Sequence, residues 1–131
     1  MTWVIAYIAT AVVFGILDAI WLNWAGENFY RPALGDILAD QFRMGAAVPF
    51  YLMYVAGIVW FAVRPGLDGG LGAAALNGAL LGALCYATFD LTNQVIMKTW
   101  PTYVTVTDIF WGAFATCVAA TAATWAVGRF A

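Results

Sequence analysis

The chain has 131 residues, 65% of them hydrophobic and 9% charged, with a net charge of −2 and no histidine. Soluble domains average about 25% charged residues, so a mean hydropathy of +0.87 places this chain among integral membrane proteins. The acidic balance offers no basic patch for nucleic acid. Without histidine, the commonest metal ligand and the usual neutral-pH general base are missing, and no metal site or cofactor is expected.

A span needs about 20 apolar residues, so the length accommodates about four. This predicts an all-α membrane protein, one domain over 1–131, with four transmembrane helices in an antiparallel bundle. The first span is expected at about 2–24. No basic segment precedes it and its apolar run is span length, so it reads as a retained helix rather than a cleaved signal.

A long connection follows, from Ala25 to Arg43. Phe29, Leu34, Ile37, Leu38 and Phe42 alternate there with Arg31, Asp36, Asp40 and Arg43. The pattern predicts a short amphipathic segment lying in the membrane interface between helices 1 and 2, with Pro32 opening a helical turn. The second span is expected at about 45–63. The run Arg64-Pro-Gly-Leu-Asp-Gly-Gly then reads as a tight loop, since Pro65 and the glycines break helix.

The third span is expected at about 71–97 and the fourth at about 107–128, joined across Pro101. Small residues recur every fourth position in three spans: Ala11, Gly15 and Ala19; Ala74, Gly78 and Gly82; Gly112, Thr116, Ala120, Thr124 and Gly128. Such rows let helices approach closely where lipid gives no hydrophobic drive to associate. Asn77 is expected to hydrogen-bond across a helix interface. Cys85 and Cys117 read as small buried hydrophobes.

Tryptophans should form two belts, Trp3, Trp60 and Trp125 at one face, Trp21, Trp24, Trp100 and Trp111 at the other. Basic residues divide almost evenly between the faces. The termini are placed on the cytoplasmic side.

Three aspartates, Asp18, Asp90 and Asp108, fall in or at the edge of spans, toward one end of the bundle. A carboxylate at mid-bilayer costs roughly 2.5–3.5 kcal/mol on insertion scales, so each is a candidate functional residue. Tyr86, Asp90, Asn93 and Gln94 share one face of the third span, and Asn23 extends the polar end of the first. The candidate ligand-binding set is therefore Asp18, Asn23, Tyr86, Asp90, Asn93 and Asp108. Each aspartate also has a structural reading: Asp108 as a helix cap, Asp18 as an acceptor for Trp21 or Trp111, Asp90 as a bridge to a neighbouring helix. Phe14-Gly-Ile-Leu-Asp18 and Tyr86-Ala-Thr-Phe-Asp90 form a faint repeat. No nucleophile–base pair accompanies the acids, so the residues specify no reaction and leave enzymatic activity open.

Leu17-Asp-Ala-Ile-Trp-Leu22, Phe29-Tyr-Arg-Pro-Ala-Leu-Gly35 and Phe50-Tyr-Leu-Met-Tyr54 resemble a family of small bacterial membrane proteins of unknown function. Phe61-Ala-Val-Arg-Pro65, Tyr86-Ala-Thr-Phe-Asp-Leu-Thr-Asn93, Trp100-Pro-Thr-Tyr-Val-Thr-Val-Thr-Asp108 and Trp111-Gly112 extend the likeness over nearly the whole chain. The resemblance implies a multipass protein of the bacterial inner membrane and carries no activity with it.

Three functions stay open on this basis. The first is an aspartate-lined pocket that binds or acts on a lipid-like or apolar small molecule. The second is an accessory subunit of a larger membrane complex, or a homo-oligomer. The third is a small proton- or cation-coupled transporter, which the apolar far end, with Val12, Val13, Ala75, Leu76, Ala122 and Ala123, disfavours.

Overall fold

A computed structural model describes residues 1–38 and 43–131. Helix α1 runs over Thr2–Ala25 and passes through a π-helical turn, Gly26–Tyr30, into the short helix α2, Arg31–Leu34. Helix α3 covers Met44–Ile58 and passes through a second π turn, Val59–Val63, into α4, Arg64–Gly69. Helices α5, Leu71–Ile96, and α6, Thr102–Phe130, complete the fold. Four apolar helical stretches are long enough to cross a membrane: Thr2–Leu34, Met44–Gly69, Leu71–Ile96 and Thr102–Phe130. They pack as a bundle in which α5 and α6 share the largest contact and α1 lies against α6.

The bundle is sorted by size rather than by polarity. Ala6, Ala62, Ala115, Ala119, Ala120 and Ala123 are fully buried, while Ile8, Ile16, Ile20, Leu80, Leu84, Phe110 and Phe114 face outward. In water this arrangement would waste the hydrophobic effect. In lipid the outer side chains are already solvated, and close backbone approach becomes the drive for association. The α5–α6 seam follows the two predicted rows of small residues. A Cβ on Gly78 would come within 2.9 Å of the Thr116 carbonyl, and one on Gly82 would meet the Gly112 carbonyl. Buried Thr10 and Thr124 return their hydroxyls to the carbonyls four residues back, which satisfies them within their own helices.

Five expectations need correction. Arg64–Gly69 is helical, not a loop, and the chain turns only at Gly70, whose φ of +96° suits glycine. Proline would normally clash with the carbonyl four residues back. Here the π turn before it widens the helix, and the Arg64 N–H reaches the Val59 carbonyl instead. The same device precedes Pro32, where the Arg31 N–H bonds the Gly26 carbonyl. As a result the first helical stretch continues to Leu34 rather than ending near Trp24. Of the interfacial segment expected between helices 1 and 2, residues 39–42 lie outside the described residues.

The fourth span starts at Thr102, well before 107. Pro101 stands at its N-cap, so Asp108 sits in the second turn and caps nothing. The run Tyr103-Val-Thr-Val-Thr looks unfavourable for helix because β-branched side chains lose χ1 freedom there. An apolar surrounding reverses the preference, since a helix pairs every backbone group internally. In α1 the buried row is Ala6, Thr10, Phe14 and Asp18, one position before the predicted Ala11–Gly15–Ala19 row. Phe14 wins that face because its ring packs against Tyr51 and Tyr54. Finally, Asn77 donates to the Ala73 carbonyl of its own helix, not to a neighbour.

Candidate functional site

The α5–α6 seam changes character along its length. After Ala74, Gly78 and Gly82, the same four-residue spacing delivers Tyr86, Asp90 and Gln94. Tyr86 lays its ring over Gly112, where any side chain would collide with it. Gln94 accepts from the Thr105 hydroxyl at 2.8 Å and donates to the Thr102 hydroxyl at 3.0 Å. These bonds tie the end of α5 to the start of α6 and fix the depth at which Asp90 and Asp108 face each other.

All three aspartates are buried at this end of the bundle, with exposures of 8% for Asp18, 0% for Asp90 and 5% for Asp108. Asp18 accepts from the Trp111 indole at 3.3 Å. Asp108 accepts a short hydrogen bond from the Tyr30 hydroxyl, which itself accepts from the Trp21 indole at 3.1 Å. Trp21 and Trp111 stack at 4.8 Å with an interplanar angle of 14°, so these two indoles serve the cluster instead of forming a belt at the lipid surface. Phe29 closes over them, touching Trp21, Tyr30 and Tyr103.

Asp90 differs from its neighbours. Asp108 and Trp100 are its nearest polar company. Yet neither Asp90 oxygen has a hydrogen-bond partner, and the Trp100 indole N–H has none either. A buried polar group left unmade costs roughly 1–3 kcal/mol, more when charged. Proteins keep such groups where something other than folding uses them. The expected bridge from Asp90 to a neighbouring helix is thus absent.

The remaining predicted residues divide. Tyr86 lies within electrostatic reach of Asp18, Asp108 and Tyr30 and so belongs to the cluster. Asn93 is half-buried one turn beyond Asp90, and its carbonyl receives the Met97 N–H. Asn23 is exposed on a separate groove with Gly15, Ala19, Arg43 and Ala47, away from the aspartates. Trp111 stands where expected, as a donor to Asp18. Tyr30 and Trp100 are not among the predicted site residues, and their one sequence signal is composition: a tyrosine and an indole in an apolar chain that holds acids. Only folding π-helical residues back over the bundle end brings Tyr30 to Asp108. The members of the faint repeat are not placed alike: Tyr86 lies over Gly112 of α6, whereas Phe14 packs against Tyr51 and Tyr54 of α3.

Beside the cluster lies a cavity of about 400 Å³, lined by Phe50, Tyr54, Cys85, Tyr86 and Phe89. Its walls come from α3 and α5 and are almost wholly apolar. The Tyr54 hydroxyl is held by the Thr116 hydroxyl at 2.7 Å. Tyr86 belongs to both features: it lines the cavity and lies within electrostatic reach of Asp18 and Asp108. Among the described residues no group of three or more carboxylate or thiol side chains is arranged to hold a metal ion.

The chain belongs to the family described as Predicted membrane protein (DUF2177), which it matches over residues 3–125. No curated protein and no solved structure matches it.

Proposed function

We propose that this member of the DUF2177 membrane family binds an amphiphilic, lipid-like molecule in the cleft between α3 and α5, its polar end directed at Asp18, Asp90 and Asp108. The observation that carries the reading is the apolar cavity of about 400 Å³ whose wall residue Tyr86 lies one helical turn before a buried, unpartnered carboxylate, Asp90. Ligand sites are typically apolar concavities of about 300–1,000 Å³ with a few convergent polar groups. Phe50 and Phe89 are exposed at the outer surface and line the cleft. An acyl or prenyl chain in the bilayer could therefore enter sideways without crossing water. Tyr86 would orient the polar end, and the Tyr30–Trp21 chain would hold Asp108 in place. Asn23 lies outside this arrangement, and Asn93 is not among the residues that line the cleft.

Native mass spectrometry of the protein purified in dodecyl maltoside tests the reading. The wild type should retain a non-detergent adduct near one per chain. Cys85→Trp, which fills the cleft from its wall, should lose it. Equal retention by both proteins defeats the proposal. The same spectra address the accessory-subunit alternative, because a second polypeptide in place of a small adduct would favour it.

A further inference from the structure

The cluster beside the cleft is acidic, and among the described residues no cation is paired with it. Asp18, Asp90 and Asp108 converge there, and the ion pair among the described residues, Arg31–Glu27 at 3.3 Å, lies elsewhere on the exposed side of the π turn. Tyr30 and Trp111 each supply one hydrogen bond, to Asp108 and Asp18 in turn, and neither Asp90 oxygen has a partner. A carboxylate offers about four acceptor positions. Even if the Trp100 indole took one, the rest of Asp90 would stay open. Around the acids stand the rings of Tyr30, Tyr86, Trp21 and Trp111, and π-faces attract cations in desolvated places.

We propose that the cleft selects amphiphiles with a protonated amine headgroup, the ammonium seated between Asp90 and Asp108 against the Tyr86 ring. The inference rests on the cleft proposed above and names the chemistry of its occupant. An ammonium presents donors and no acceptor, which complements a set of acids that need donors. Burying its charge is tolerable only beside opposite charge, and this end of the bundle supplies that. A carboxylate headgroup would meet repulsion. A hydroxyl headgroup would hydrogen-bond to Asp90 but leave the acidic excess uncompensated. A divalent ion would want six or more oxygen ligands, beyond what the described residues arrange.

The test uses the full chain in dodecyl maltoside with Cys117→Ala, so that Cys85 on the cleft wall is the one thiol open to maleimide. Dodecylamine, dodecanol and laurate are compared at equal concentration and ionic strength at neutral pH. Dodecylamine should slow Cys85 labelling about tenfold more than dodecanol, the ratio given by about 1.4 kcal/mol of headgroup contact. Laurate should protect least. Asp90→Asn should reduce the amine to the level of the alcohol. Asp108→Asn in the same assay decides the matter if the first variant does not fold. Equal protection by amine and alcohol, an amine preference that survives both variants, or protection by sodium chloride alone overturns the proposal. Equal protection by amine and alcohol would leave the cleft intact as a chain-binding site, whereas no protection by any of the three would remove both readings.

Discussion

The two ends of the α5–α6 seam are built on one spacing and held by different forces. Toward the chain termini, Ala74, Gly78 and Gly82 meet Thr116, Ala120 and Thr124, and the interface is steric. Toward the other end, Tyr86, Asp90 and Gln94 meet Asp108, Thr105 and Thr102, and the interface is polar. The first end tolerates no added atom. The second carries bulk and charge, and one of its acids is left without a partner. The contrast teaches that stability is concentrated where the residues are smallest, which frees the far end to hold groups that folding alone would reject.

Five substitutions, read by thermal or denaturant unfolding in detergent, sharpen or break this contrast. The largest effect is expected at Gly82→Ala, whose new methyl meets backbone that cannot step aside. It should cost near the upper part of the ~1–3 kcal/mol seen for overpacking. Tyr30→Phe removes almost no volume but strands both Asp108 and the Trp21 indole, and should cost about 2 kcal/mol. A loss as small as that of an ordinary surface change would show that the polar end is not held by its hydrogen bonds.

Asp90→Leu should leave stability unchanged or raise it by about 1 kcal/mol, because an unpartnered buried acid is exchanged for an apolar side chain of the same branching. Strong destabilisation there would place Asp90 in the scaffold and end its candidacy as a binding group. Trp111→Phe keeps a ring against Trp21 while losing one bond to Asp18, for about 1 kcal/mol. Gly15→Ala is the control for the first variant: no atom lies within 4 Å of its added Cβ. It should be neutral or stabilising by up to ~1 kcal/mol through helix propensity. A cost there similar to that at Gly82 would mean that small residues act through backbone flexibility, not through contact.

Much of the architecture was legible in the residues. Apolar runs of span length set four helices, and the rows Ala74–Gly78–Gly82 and Gly112–Thr116–Ala120–Thr124 marked the faces that meet between α5 and α6, because a spacing of four fixes one helix face whatever the tertiary context. The same rule failed in α1. Its small row Ala11–Gly15–Ala19 was real, but a neighbouring face with Phe14 found better partners in Tyr51 and Tyr54. Proline misled as well. Pro65 signals a break when only standard helix geometry is considered, and a π turn absorbs it.

For the candidate site, sequence alone determined the acids. Asp18, Asp90 and Asp108 are conspicuous because charge is expensive in an apolar chain, and helix direction alone puts them at one end. Which acid is satisfied and which is not was decided by tertiary structure. Trp111 lies 93 residues from Asp18, and Tyr30 lies 78 residues from Asp108. Their hydrogen bonds depend on how α1 rests against α6 and on the π turn that carries Tyr30 inward. Composition and periodicity are local properties and can report what each helix must bury. Partnership is a property of the space between helices, and only the packed bundle decides it.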